Sequence, residues 1–84
     1  MTTVERNYEQ ALAALRGIWE DVLETTVDDP DQDFFDAGGD SLLALTIAHR
    51  AGEAGLDMPR SGVLRKPTLR ELAEAVCSPN GFAR

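Results

Sequence analysis

Between Tyr8 and Leu23, the residues Tyr8, Ala11, Leu12, Leu15, Ile18, Trp19, Val22 and Leu23 make an apolar series. Steps of three and four trace one continuous stripe along an α-helix, and they exclude a strand, whose faces alternate at every second residue. Glu9, Arg16, Glu20 and Glu24 lie mainly outside the stripe. The spacing predicts a helix over about Val4 to Glu24 that must bury one face against the rest of the chain. Gly17 lowers its helix propensity without breaking the pattern. With 84 residues there is room for one core, hence one domain, and little interior for a deep catalytic pocket.

Two further helical segments follow. A long connection, Thr25 to Asp40, holds Pro30, Gly38, Gly39 and many Asp residues, all turn formers. At about sixteen residues it exceeds the usual link between helices, and loops of this length are commonly functional or mobile. Phe34 and Phe35 within it are expected to anchor it on the core. The second helix is predicted from about Ser41 to Ala54, with Gly55 as its stop. Leu56-Asp57-Met58-Pro59 reads as an extended link, and Ser61 to Arg65 as one short turn of helix. The last helix opens at Pro67-Thr68, where Thr68 and Glu71 form a capping-box pair. Leu69, Leu72, Ala73 and Val76 then repeat at the 0, 3, 4, 7 spacing. Pro79 and Gly81 end it. No repeat, low-complexity tract or strand-like alternation is visible. The predicted fold is all-α: a four-helix bundle of three main helices and one short one, with a long first loop, a core over about 8–77 and a flexible tail over 78–84.

The second helix carries more apolar surface than a domain of this size buries. Ala44, Ile47, Ala48 and Ala51 follow the 0, 3, 4, 7 spacing and, with Leu43, form the face expected to turn inward. Leu42 and Leu45 lie on another arc with Thr46 and His49. That arc either packs under the long loop or serves as a docking surface, and its place beside Gly38-Gly39-Asp40-Ser41 favours docking.

Charge excludes several functions. The net charge is -7, with 15 acidic against 8 basic residues. This balance repels nucleic acid and anionic membranes, and it suits partners that carry basic patches. No stretch approaches transmembrane length. Cys77 is the single cysteine, so neither an internal disulfide nor a cysteine zinc site is available. A reducing, cytoplasmic setting is consistent with that. Met1 leads to the expectation of a natural start and a free-standing protein, although an excised piece would begin alike. No second large apolar stripe remains for a dimer, so a monomer is expected.

Ser41 stands at a helix start, where capping is the ordinary role of a serine. Asp40 can cap instead, which leaves the Ser41 hydroxyl free to point outward. The paired glycines remove bulk beside it, and the free N–H groups of a helix start favour a phosphate. A hydrolase would need a base within reach of the serine. His49, the only histidine, lies about 12 Å farther along the same helix at 1.5 Å per residue. Position 43 is Leu, so no Gly-x-Ser-x-Gly elbow is present. Asp29, Asp31, Asp33 and Asp40 fall at positions 1, 3, 5 and 12 of a calcium-loop frame. Phe34 stands where that frame requires Gly, Asp40 where it uses Glu, and Pro30 is awkward within it, so no metal site is expected.

The run Asp33-Phe34-Phe35-Asp36-Ala37-Gly38-Gly39-Asp40-Ser41-Leu42-Leu43-Ala44-Leu45, with Lys66-Pro67-Thr68-Leu69-Arg70-Glu71-Leu72-Ala73 downstream, resembles the peptidyl carrier proteins (thiolation domains) of nonribosomal peptide synthesis, relatives of acyl carrier proteins. The resemblance covers about Ala11 to Val76. It implies a non-catalytic, single carrier domain spanning 1–84. It implies that Ser41, in the motif context of Gly38, Gly39 and Asp40, bears 4′-phosphopantetheine transferred from coenzyme A by a phosphopantetheinyl transferase. The arm's thiol would hold an aminoacyl or peptidyl group as a thioester, supplied by an adenylation enzyme and passed to condensation, tailoring or thioesterase partners. It places Leu42, Leu45, Thr46 and His49 on the partner-facing side, with Met58 and Leu64 completing that surface. Ala37 stands where many relatives have Leu, and Asp40 where His is often found. Ser61-Gly62-Val63-Leu64-Arg65-Lys66 departs from the more hydrophobic or acidic pattern common before Pro-Thr-Leu. Two alternatives stay open: a carrier of fatty, aryl or polyketide acyl groups, and an unmodified interaction module of the same fold.

Overall fold

The computed structural model describes residues 8–56, 58–78 and 82. Four helices follow one another: α1 Tyr8–Leu23, α2 Ser41–Glu53, α3 Gly62–Arg65 and α4 Leu69–Cys77. The only bridge-type pairing among the described residues is an isolated one between Asp33 and Thr68. The fold is therefore the all-α bundle that the periodicity predicts. Residues 4–7 of the first predicted helix lie outside the described residues, as do 79–81, 83 and 84 of the predicted tail.

The stripe of α1 faces inward as its spacing requires. Ala11, Leu15 and Trp19 are fully buried, with Leu12, Ile18, Val22 and Leu23 packed around them. α1 ends one residue earlier than expected, because Glu24 enters the left-handed region at φ 57° and turns the chain. α1 packs on both α4 and α2, and α3 packs on α2. Leu69, Leu72 and Ala73 supply the buried side of α4. Thr68 caps that helix, its hydroxyl accepting from the Glu71 amide at 3.1 Å. The expected capping box is half realised: the Glu71 carboxylate takes the Thr68 hydroxyl, 3.1 Å away. Thr68 is the cap and Leu69 the first helical residue, so α4 begins just after the predicted Pro67-Thr68 opening.

The long first loop is tied to α1 and α4 at several points. Arg16 and Glu20, outside the apolar stripe of α1, hold its start. Arg16 donates to the carbonyls of Val27 at 2.8 Å and Asp28 at 3.0 Å, and Glu20 accepts from the Val27 amide at 2.8 Å. Val27 is thereby set into the core, fully buried. Farther along, the Phe34 amide donates to the Pro67 carbonyl at 2.7 Å and the Arg70 amide to the Pro30 carbonyl at 3.0 Å. The Arg70 guanidinium grips both carboxylate oxygens of Asp31, at 2.5 and 3.1 Å. Such a two-point grip fixes orientation as well as distance.

The Arg70 hydrogen bonds, aided by its charge, hold the Asp31 carboxyl below its ordinary value of 3.8, against an opposing loss of hydration. A depressed carboxyl pKa contributes stability above the unfolded value, and that contribution disappears as pH falls through the folded one. Urea unfolding should therefore find wild type more stable than Asp31→Asn near pH 6. The gap should close as the pH is taken below about 3.8. The pair is solvent-exposed, so the difference is expected to be small and to shrink in high salt.

Candidate functional site at the start of the second helix

The chain enters α2 through a tight turn closed by backbone bonds. The Phe34 carbonyl accepts from Ala37 at 3.2 Å and from Gly39 at 3.0 Å, and the Phe35 carbonyl accepts from Gly38 at 3.2 Å. Asp33 supports it from outside, its Oδ1 accepting from the Phe35 amide at 2.8 Å. The two glycines do different work. Gly38 sits at φ +107°, a conformation that L side chains rarely adopt. Gly39 is needed for space: a Cβ there would lie 2.3 to 2.6 Å from three carbons of the Phe34 ring.

That ring is fully buried and meets Trp19 edge to face, with centroids 5.0 Å apart. Phe35 behaves differently from its neighbour. It is 40% exposed and touches the Phe34 ring only by its edge. The expectation that both Phe residues anchor the loop is corrected on this point. In a turn this tight, adjacent side chains diverge, and one core slot is available.

Asp40 is extended, at φ -143° and ψ -177°, and its carboxylate accepts from the Leu43 amide at 2.9 Å. It is the cap of α2. Ser41 is therefore the first helical residue, exposed, and its hydroxyl has no hydrogen-bond partner among the described residues. The N–H groups of Ser41 and Leu42 lie in the first turn, ahead of any intrahelical acceptor. This arrangement fits a phosphate ester on Ser41 Oγ: the hydroxyl is accessible, no neighbouring side chain caps it, and the helix start favours negative charge.

The two arcs of α2 separate cleanly. Ala44, Ile47, Ala48 and Ala51 are buried, and Leu43 is half-buried against the core. On the other arc Leu42 is 71% exposed and Leu45 39%. Thr46 is half-buried and donates from its hydroxyl to the Leu42 carbonyl at 3.2 Å. His49 faces solvent, 3.3 Å from Glu53 one turn on. Leu64 on α3 is 46% exposed, whereas Met58 is half-buried and packs against the core. The structure thus gathers Leu42, Leu45, Thr46 and His49 on one stripe, with Leu64 on the adjacent short helix. Phe35 is the one further large exposed apolar residue among the described residues.

The acidic loop is occupied with its own geometry. Asp29 accepts from the Asp31 amide at 2.9 Å, Asp31 pairs with Arg70, Asp33 braces the turn and Asp40 caps α2. No group of three or more His, Cys, Asp or Glu among the described residues is arranged to hold a metal.

A small helical bundle with an uncapped, outward serine at the start of α2 and an apolar stripe beside it defines a carrier domain. Comparison with known proteins agrees. Residues 13–76 match the family model described as the phosphopantetheine attachment site, and the chain belongs to that family, whose members carry a covalent 4′-phosphopantetheine. It is 41% identical over 68 residues to a linear gramicidin synthase of Brevibacillus parabrevis, covering 81% of this chain and 1% of that protein. It is 40% identical over 72 residues to a phenolphthiocerol/phthiocerol polyketide synthase of Mycobacterium tuberculosis, covering 84% of this chain and 5% of that protein. The chain therefore spans one-twentieth or less of these relatives. A solved structure titled "Non Ribosomal PCP domain" superposes with a TM-score of 0.71 at 38% identity, covering 84% of this chain and 92% of that one. The chain is a carrier domain of the nonribosomal peptide synthesis type.

Gly39→Ala should lower unfolding stability by about 1–3 kcal/mol, because the buried Phe34 ring has to move. Asp40→Ala should lower it by about 1 kcal/mol through loss of the cap. Chemical denaturation of the two variants checks both values. A double change of Phe34→Leu with Gly39→Ala should cost less than the sum of the single changes, since the shorter side chain vacates the space the new methyl needs.

Proposed function

We propose that Ser41 is the residue that bears the 4′-phosphopantetheine arm, and that the chain carries an aminoacyl or peptidyl group in nonribosomal peptide or related natural-product synthesis. The carrying observation is the exposed Ser41 hydroxyl at the first position of α2, left without an intramolecular partner among the described residues because Asp40 takes the cap. Bound there, the arm supplies a thiol on which an acyl group is held as a thioester. The protein's own contribution is to hold the Ser41 Oγ outward on a fixed helix start and to offer first-turn N–H groups to the phosphate. Gly38 and Gly39 shape the turn before it.

The chain performs no catalysis in this reading and acts as a single carrier domain. It is a substrate of a phosphopantetheinyl transferase, an adenylation enzyme, and condensation, tailoring or thioesterase partners. These enzymes meet it in turn, so each contact has to be brief. The outer stripe of Leu42, Leu45, Thr46 and His49, with exposed Leu64 on α3 and half-buried Met58 behind it, supports that reading: a modest apolar patch gives a small and reversible interface. A monomer in the cytoplasm, bound to neither nucleic acid nor membrane, is consistent with the net charge of -7 and with the lack, among the described residues, of any helix long and apolar enough to cross a membrane.

Intact-protein mass after incubation with coenzyme A and a broad-specificity phosphopantetheinyl transferase tests the assignment. Wild type should gain one phosphopantetheinyl group and Ser41→Ala none, with unchanged helical circular dichroism. A folded wild-type protein that gains nothing would overturn the carrier reading in favour of an unmodified interaction module. Leu42→Asp should leave unfolding stability within about 0.5 kcal/mol, as expected of an exposed position, while raising the KM for loading.

A further inference from the structure

α3 cannot hold itself in place. It is four residues long, a single turn, and helices of that length do not form without tertiary support. Ser61 at its start makes no side-chain cap. Two backbone bonds close the turn, Arg65 to the Ser61 carbonyl at 3.0 Å and Lys66 to the Gly62 carbonyl at 2.8 Å. Gly62 and Val63 are its buried residues, and Leu64 points outward.

A residue from beyond α4 supplies an anchor. The Phe82 ring is half-buried against the core, as are Met58, Val76 and Cys77. The Arg65 guanidinium carbon lies 5.8 Å from the ring centroid, within cation–π range. Gly62 makes room for Met58, with Phe82 at ordinary contact distance beside it. A Cβ at that position would lie 2.4 Å from Met58 Cγ and 3.5 Å from Phe82 Cε1. Met58 and Phe82 thus share the space over Gly62, on the helix that carries Leu64.

We propose that Phe82 is the clamp that fixes α3 and so sets the position of Leu64 on the partner-facing surface. The clamp stands on the packing itself; only the identity of that surface rests on the carrier reading. Coupling of this kind is reciprocal. A partner that grips Leu64 and shifts α3 weakens the seat of Phe82, and loss of that seat loosens α3. Phe82 is a positioning residue, acting through Gly62, Met58 and Arg65.

Backbone 15N relaxation on the full, unmodified chain tests this. In Phe82→Ala the order parameters of Val63, Leu64 and Arg65 should fall from about 0.85 toward about 0.6, while those of α1 and α4 hold. Phe82→Tyr, which keeps the ring, should retain wild-type values. Arg65→Ala should move the Phe82 ring proton shifts toward solvent values. Unchanged order in α3 of Phe82→Ala would overturn the clamp. So would an equal loss of order across α1 and α4, which would make Phe82 an ordinary packing residue. Loading of Ser41 is read separately by mass on the same samples. Failure of wild type to load, with α3 responding as described, would overturn the carrier reading and leave the clamp standing.

Discussion

Four parts of the chain meet at Phe34. Its ring lies edge-on to Trp19 of α1 and closes against Gly39, immediately before the cap of α2. Its amide is held by Pro67, just before α4, and its carbonyl closes the turn by accepting from Ala37 and Gly39. A loop of this length would otherwise retain many conformations, each adding to the entropy lost on folding. Burying one large ring in the middle of it divides the loop into two short tethered spans. The first is tied to α1 by Arg16 and Glu20 and to α4 by Arg70, the Phe34 amide itself is held by the Pro67 carbonyl, and the second is closed by the turn bonds of Ala37, Gly38 and Gly39. The position of Ser41 follows from this seat, since the start of α2 can be no better defined than the turn that delivers it.

The remainder of α2 divides two demands between two arcs. Small residues on the inner arc, Ala44, Ala48 and Ala51, let the helix lie close to the core, with Ile47 as its bulkiest buried side chain. The outer arc carries Leu42 and Leu45, neither of which enters the buried core. Exposed leucines are ordinary on protein surfaces when single. Here two lie on one stripe beside an accessible serine, the observation on which the proposed docking role rests.

The helical content is legible in the sequence, because it rests on short-range patterns. The α1 stripe, the Asp40 and Thr68 caps and the split of α2 into two arcs all follow from residue spacing within one or two turns. What joins the elements is not legible there. The Asp31–Arg70 pair links residues 39 apart, and Arg16 binds backbone carbonyls that carry no side-chain signature. Nothing in Phe34-Phe35 says which ring is buried. That choice depends on the space left by Gly39, which is a property of the folded turn. In sequence the Gly-Gly pair is one permissive feature, whereas the structure separates it into a conformational position at 38 and a steric one at 39. Phe82 follows Pro79 and Gly81 and so looks like part of a loose tail. Periodicity gives no account of a lone aromatic that returns to a neighbouring helix.

The seating of Phe34 under Gly39 has a consequence for how such a domain can diversify. The groups that fix the serine are a buried ring, an absent methyl, a carboxylate cap and a left-handed glycine. None of them contributes to the outer stripe. Descendants of this chain can therefore exchange Leu42, Leu45, His49 or Leu64, and so remake the outer face, without disturbing the seat of Ser41. Positions 34 and 39 lack that freedom, because a side chain at 39 has to be matched by a smaller one at 34.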